Sequence, residues 1–287
     1  MEANPHREFA VAGSGAIATG LAALASAGCE RVWLLARSDE SAERARGELS
    51  SACPRVDGGD AGSVRVITDA AELAGATLAV EAIVEDTDAK AKLLRTLGEA
   101  APGADLATTT SSLSVSDLAK ACGHDGRLFG LHVFNPVPVM RLVEICLPEG
   151  LEPGIGERAS AWCRSVGKTP VNVPDSSGFV VNRLLFPYLF DAVRFQERSG
   201  MPSEDVDTCM SLGLAHPMGP LALLDLVGLD VAVAISDALF AESGNPDHKA
   251  PESVQAKVAA GDLGQKTGRG FHDYDGRPAG ARFRSLC

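Results

Sequence analysis

Short apolar runs alternate with alanine-rich amphipathic stretches along the first 176 residues. The strand-like runs are 8–12, 31–36, 64–68, 77–83, 105–109, 128–134, 139–146 and 169–173. Helical patterns lie between them at 15–27, 39–51, 86–100, 114–122 and 154–166. Strand and helix taking turns in this way predict a doubly wound α/β sheet. The stretch Cys53 to Ser63, with Pro54 and its glycines, is a loop inside that unit rather than a linker. After Val173-Pro174-Asp175-Ser176-Ser177-Gly178 the pattern changes to long helices. Asn182 to Arg198 carries Leu185, Leu189 and Val193 on one face. Residues 203–213, 219–242 and 251–260 continue as helices, interrupted at His216-Pro217-Met218-Gly219-Pro220. Two domains are expected, 1–176 and 177–287, the second all-α.

Chemistry enters at the first strand. Phe9-Ala10-Val11-Ala12 runs into Gly13-Ser14-Gly15-Ala16-Ile17-Ala18 and then a helix. In this context Gly13 permits a tight turn, Gly15 lets a pyrophosphate approach the backbone, and Ala18 is small enough for helix and strand to pack. Ala16 and Ile17 open the helix whose N–H groups would hold the anion. A glycine pair after a strand is otherwise only a turn; the strand and helix around it favour a Rossmann-like dinucleotide domain.

The second strand should end in an acid for the adenosine ribose, about 20 residues past the glycines. It ends in Ala36-Arg37-Ser38. Without the carboxylate a 2′-phosphate meets no repulsion, and Arg37 and Ser38 offer it a cation and a hydroxyl. NADP is slightly favoured over NAD. The alternative keeps Arg37 on the surface and gives the ribose to Asp39 or Glu40.

Residues 126–145 place a histidine and a glutamate on two strands. His132 and Glu144 are equally far from Pro138, so a hairpin turning through Asn135-Pro136-Val137-Pro138 sets imidazole opposite carboxylate. A histidine so held is a general base. The plain alternative is a strand histidine near a solvated glutamate.

The charge of −12 argues against nucleic acid, because phosphate neutralisation needs clustered Lys and Arg. No apolar stretch reaches the roughly 18 residues of a membrane span. No basic and apolar leader pattern is present, so a cytoplasmic location is expected. The seven cysteines, at 29, 53, 122, 146, 163, 209 and 287, show no C-x-x-C pair and no metal-ligand spacing. They read as reduced thiols, and no metal is expected.

Longer motifs then connect these features. Val80-Glu81-Ala82-Ile83-Val84-Glu85, Thr110-Ser111-Ser112-Leu113, Gly130-Leu131-His132-Val133-Phe134-Asn135-Pro136-Val137-Pro138 and Gly178-Phe179-Val180-Val181-Asn182-Arg183, with 213–220 and 266–271, resemble the L-3-hydroxyacyl-CoA dehydrogenase family over nearly the whole chain. The resemblance implies a catalytic pair at His132 and Glu144, a substrate-positioning hydroxyl at Ser111 and an amide at Asn182. It implies cofactor contacts from Glu85, Lys90, Ser111 and Asn135 besides the glycine turn, and a homodimer through the C-terminal domain. Read locally, Ser111 could instead cap the helix near Ser114, and Asn182 could be a helix N-terminal residue.

Three departures from the family pattern stand out. The ribose acid is Ala36, the residue after Glu85 is Asp86 where Asn is common, and no lysine precedes Lys90. Members acting on coenzyme A use a serine and a lysine after the second strand; the matching positions here fall near Ala52 and Gly59. Arg44, Arg46 or Arg55 could substitute. Otherwise the acyl group arrives on a carrier protein, as in relatives that serve polyketide extender units. The expected function is an NAD(P)-dependent 3-hydroxyacyl-thioester dehydrogenase with an acyl-CoA or acyl-carrier-protein substrate. The competing readings are a dehydrogenase of free hydroxy or sugar acids and a non-catalytic NAD(P)-binding protein.

Overall fold

The computed structural model describes residues 4–274, so Cys287 lies outside the described residues. The chain forms two compact units, Met1–Phe179 and Val180–Cys287.

The first unit contains β1 (Glu8–Ala12), α1 (Ala16–Ser26), β2 (Arg31–Leu35), α2 (Asp39–Ala52), β3 (Val64–Ile67) and β4 (Leu78–Glu81). It continues with α3 (Thr87–Ala100), β5 (Asp105–Thr108), α4 (Val115–Cys122), β6 (Leu128–Val133), β7 (Leu142–Cys146), α5 (Ile155–Ser165) and β8 (Thr169–Val173). The sheet order is β3-β2-β1-β4-β5-β6-β7-β8, parallel except where β7 runs against β6. Helices cover both faces. Leu21, Leu49 and Trp162 pack with Phe9, Val11 and Leu34 on one side, and Leu94, Leu97 and Leu118 pack with Trp33, Leu35 and Leu106 on the other. Strands buried on both faces are continuously apolar, which is why the runs carried no clean alternation. The order reverses between β1 and β4, and a crevice opens at the carboxyl ends of the strands at such a point.

The β6–β7 connection departs from the expected tight hairpin. The strands stop at Val133 and restart at Leu142, leaving residues 134–141 as a loop. Lys168 fixes that loop: its buried Nζ donates to the carbonyls of Val137 at 2.5 Å and Met140 at 2.7 Å. Burial pushes the Lys168 ammonium below its ordinary pKa.

The second unit contains α6 (Val181–Ser199), α7 (Ser203–Gly213), α8 (Pro220–Val227), α9 (Leu229–Ser243) and α10 (Glu252–Ala259) around a core including Phe186, Leu189, Phe190, Leu224 and Leu239. The single helix expected over 219–242 is therefore two. Gly228, at φ +101°, ends α8 and starts α9, a conformation that side-chain-bearing residues avoid. Residues 271–274 are tied to these helices through two buried carboxylates. Asp225 accepts the N–H groups of Phe271 and His272 at 2.9 Å and the Tyr274 hydroxyl at 3.1 Å. Asp207 accepts from Leu221 and Ala222 at the start of α8 and from His272 Nε2 at 2.8 Å.

Candidate active site

The glycine turn behaves as two different positions. Gly13 sits at φ +141°, and a Cβ there would lie 2.2 Å from the Ala82 carbonyl oxygen and 3.2 Å from the Ala18 Cβ. Only glycine fits between β1 and β4. Gly15 has ordinary φ and nothing within 4 Å of where a Cβ would stand, so its missing side chain leaves room toward solvent. The first turn of α1 has no side-chain cap and no acidic residue. Its free N–H groups and the helix dipole make an anion site. In front of it lies a cavity of about 960 Å³ running along the ends of β2, β1, β4 and β5, with Gly13 to Ile17, Ala36, Arg37, Glu85 and Thr109 in its walls. That size is within the roughly 300–1,000 Å³ of small-molecule and cofactor sites. The narrow glycine passage, the open Gly15 and the uncapped helix fit a dinucleotide.

At the β4–β5 end, Glu85 organises the loop that follows β5. Its Oε1 accepts from the Thr110 hydroxyl at 2.6 Å, from the Ser111 and Ser112 amides at 2.9 and 3.0 Å, and from the Ser112 hydroxyl at 2.9 Å. Burial alone would raise its pKa, but Lys90 at 3.4 Å and these donors together hold the carboxyl below the usual range. Lys90 is not the direct cofactor contact expected. It is fully buried, with Nζ on both Glu81 oxygens at 2.8 and 3.0 Å, and it does not line the cavity. Glu81 is held in turn by the Thr108 hydroxyl at 2.7 Å and the Ile83 amide at 2.7 Å. A buried charge needs such partners, so Lys90 acts on the cavity through Glu85 and the Ile83 carbonyl, which lies 3.4 Å from Nζ. Asp86 accepts from the Ala89 amide at 2.8 Å and caps α3, a job Asn and Asp do equally well.

Ser111 does not cap α4. Ser114 does, accepting from the Asp117 amide, while Asp175 accepts from Val115 and Ser116 at 2.9 and 2.8 Å. The Ser111 hydroxyl is left 3.4 Å from Glu85 on the loop leading away from β5. On the neighbouring strand, Thr108 pairs with Gly130, two residues before His132. The ends of β5 and β6 therefore bring the Ser111 loop beside the histidine strand.

His132 pairs with Glu144 across β6 and β7, and His132 Nδ1 is 2.7 Å from Glu144 Oε2. Both are buried, at 6% and 1% exposure, and the ring contacts Phe134 and Phe179 at centroid distances of 4.6 and 5.4 Å. With Nδ1 donating to the carboxylate, Nε2 is the nitrogen available for proton exchange.

Other expected positions fall elsewhere. Ser38 is the N-cap of α2, in a reciprocal capping box with Ser41, and does not line the cavity; Arg37 does. Glu40, a candidate for the ribose, is paired with Arg44 at 2.7 Å. Asn135 is exposed and borders a small recess of about 90 Å³ shared with Ser51 and Arg55, separate from the large cavity. Asn182 lies in the first turn of α6, in the second unit. Lys92 on α3, which carries no motif in the sequence, lines the large cavity.

Comparison with known proteins places this geometry. Residues 8–176 match the family model described as 3-hydroxyacyl-CoA dehydrogenase, NAD binding domain, and residues 178–274 match the C-terminal domain of the same family. The human mitochondrial hydroxyacyl-coenzyme A dehydrogenase is 42% identical over 74% of this chain and 68% of its own. A 3-hydroxybutyryl-CoA dehydrogenase of Mycobacterium tuberculosis is 42% identical over 74% of this chain and 76% of its own. The crystal structure of (S)-3-hydroxybutyryl-CoA dehydrogenase from Ralstonia eutropha superposes with a TM-score of 0.88 at 31% identity, covering 94% of this chain and 99% of that one.

Proposed function

The chain belongs to the 3-hydroxyacyl-CoA dehydrogenase family, and from that premise we propose that it interconverts 3-hydroxyacyl and 3-oxoacyl thioesters with NAD(P). The observation that carries this reading is the buried His132–Glu144 pair at 2.7 Å, on the strand next to the Ser111 loop. Bound nicotinamide supplies hydride acceptor or donor chemistry. In the oxidising direction His132 Nε2 takes the proton of the 3-hydroxyl, and in reduction the imidazolium returns it to the 3-oxo oxygen. Glu144, 2.7 Å from Nδ1, fixes the tautomer and the orientation of the ring. The Ser111 hydroxyl donates to the reacting oxygen, and Asn182 helps orient the acyl group.

For the cofactor, Ala36 and the cavity-lining Arg37 support a slight preference for NADP. For the carrier, Arg44 and Arg46 are paired with Glu40 and Glu43, leaving Arg55, beside the Asn135–Pro138 loop, as the cation open to a nucleotide phosphate. With one arginine and no lysine there, coenzyme A and a carrier-protein arm are matched candidates. Exposed Leu184, Leu212, Leu214 and Val231 support a homodimer through the helical unit. Buried free cysteines suit a reducing, cytoplasmic setting. No helix among the described residues is long and apolar enough to cross a membrane.

The test is a two-by-two assay of NADH against NADPH and acetoacetyl-CoA against the acetoacetyl carrier-protein thioester, with the free acid as a control. Thioester turnover far above free acid is expected. Equal rates on the free acid would overturn the thioester assignment.

A further inference from the structure

We infer that Lys92 is the second cation of a subsite for the 2′-phosphate of NADP, opposite Arg37 in the large cavity; this rests on the NADP reading above. Three charged residues line the cavity among the described residues: Arg37, Lys92 and Glu85. Glu85 is one carboxylate against these two cations, and its oxygen is already taken up by the hydroxyl and amide donors of residues 110–112. The unbalanced charge of the walls is thus positive, in a chain whose net charge is −12.

The two cations also differ from four arginines of the same strands and helices. Arg31, Arg44, Arg46 and Arg65 are each paired with a glutamate, respectively Glu8, Glu40, Glu43 and Glu72. Neither Arg37 nor Lys92 has a carboxylate partner among the described residues. Two cations left without acids in the walls of one cavity are arranged for an anion from outside.

Their position on the sheet selects which anion. Ala89, Lys92, Leu93 and Thr96 line the cavity with the i, i+3, i+4, i+7 spacing of one helix face, joined there by Thr68 and Ala70 from the segment after β3. The helix packs on β4 and β5 and against residues 70–73, the turn that follows β3. Its cavity face therefore looks toward the segment after β3, and Arg37 leaves β2 beside that segment, where the Ala36 amide donates to the Ile67 carbonyl. The α1 N-terminus lies at β1, and Glu85 and the Ser111 loop lie toward β5. A dinucleotide with its diphosphate on α1 and its nicotinamide toward β6 sends its adenosine to the β2 side. There the 2′-phosphate, carrying between one and two negative charges, meets a guanidinium from one wall and an ammonium from the other. Lys92 is a specificity residue and takes no part in proton or hydride transfer.

The experiment compares 2′,5′-ADP with 5′-AMP by calorimetric titration into the wild type, Lys92→Met and Arg37→Met, with circular dichroism and melting temperature as folding controls. Lys92 is exposed, so the methionine variant keeps the helix and removes the charge. The expected result is that Lys92→Met weakens 2′,5′-ADP by about tenfold or more, as for loss of a charge-assisted contact. It should leave 5′-AMP within about twofold and the fold intact. If the wild type prefers 2′,5′-ADP and Lys92→Met keeps that preference, the Lys92 assignment falls and the NADP reading stands. If Lys92→Met weakens both ligands equally, the lysine serves the shared part of the molecule and the 2′-phosphate subsite is overturned. If the wild type binds the two ligands alike, the NADP reading itself falls, and the subsite with it.

Discussion

Among the described residues two histidine–carboxylate pairs occur at nearly the same distance, 2.7 Å for His132–Glu144 and 2.8 Å for His272–Asp207. They do different things because of what surrounds them. At His272 both ring nitrogens face carboxylates, Nε2 toward Asp207 and Nδ1 toward Glu204 at 3.5 Å. The Asp207 hydrogen bond, with the charges of Asp207, Asp225 and Glu204, outweighs burial and raises the His272 pKa. Asp207 is also occupied by the first N–H groups of α8. That ring is a bolt between helices, with no nitrogen left for a substrate. His132 has one nitrogen engaged, and it sits on the strand beside a loop of hydroxyls. A short His–carboxylate distance identifies a pair; the second nitrogen decides whether the pair can work on a substrate.

This contrast can be broken by substitution. The largest effect is expected at the proposed base: His132→Gln should lower turnover of acetoacetyl thioesters per folded molecule by roughly 10²–10⁴-fold, the range for loss of general acid–base catalysis, with cofactor affinity close to wild type. Asp207→Ala should do the reverse. Removing one partner of a buried pair costs about 3 kcal/mol or more, and the start of α8 loses its cap as well. Chemical denaturation should show this loss of stability, while kcat per folded molecule stays near wild type.

Smaller effects concern pH. His6 is buried 3.4 Å from Asp105, which Arg158 already holds at 2.8 Å. Burial, opposed by Asp105 and assisted by Arg158, lowers its pKa from 6.5 to about 4. The unfolded chain then binds the extra proton, so stability is full above pH 6.5 and falls as pH drops toward 4, by up to about 3 kcal/mol. His6→Gln should flatten that acid limb of a melting-temperature profile. His272 has the opposite sign. Its raised folded value gives stabilisation that is complete below 6.5 and lost as pH rises through the folded pKa. His272→Gln should therefore narrow its stability deficit as the pH increases; a deficit constant with pH would remove the protonated bolt.

The same contrast explains what the chain displayed in advance. His132 and Glu144 are twelve residues apart on consecutive strands, so counting outward from Pro138 paired them even though the loop is longer than a tight turn. His272 and Asp207 are separated by 65 residues and meet only through helix packing, which leaves no local pattern. The sheet was readable because its helices follow strands at short range. The break at Gly228 was hidden by apolar periodicity running through it. At the site, the glycine turn and Arg37 were visible as a motif and as a missing acid. The burial of Lys90 was not, because its anchor Glu81 is a strand residue whose orientation depends on the packed sheet. Lys92 gave no signal for a related reason: one cation on an amphipathic helix looks like any solvated lysine until the cavity beside it is seen.

The most direct test of the proposed chemistry is the rate of acetoacetyl-thioester reduction per folded molecule, measured side by side in the wild type, His132→Gln and His272→Gln. The wild type and His272→Gln should agree, because both His272 nitrogens are already turned to carboxylates. His132→Gln should be slower by roughly 10²–10⁴-fold, the loss expected when the proton-transfer group is removed. A His132→Gln enzyme that keeps the wild-type rate, or a His272→Gln enzyme that loses it to the same degree, would contradict the assignment of proton transfer to His132.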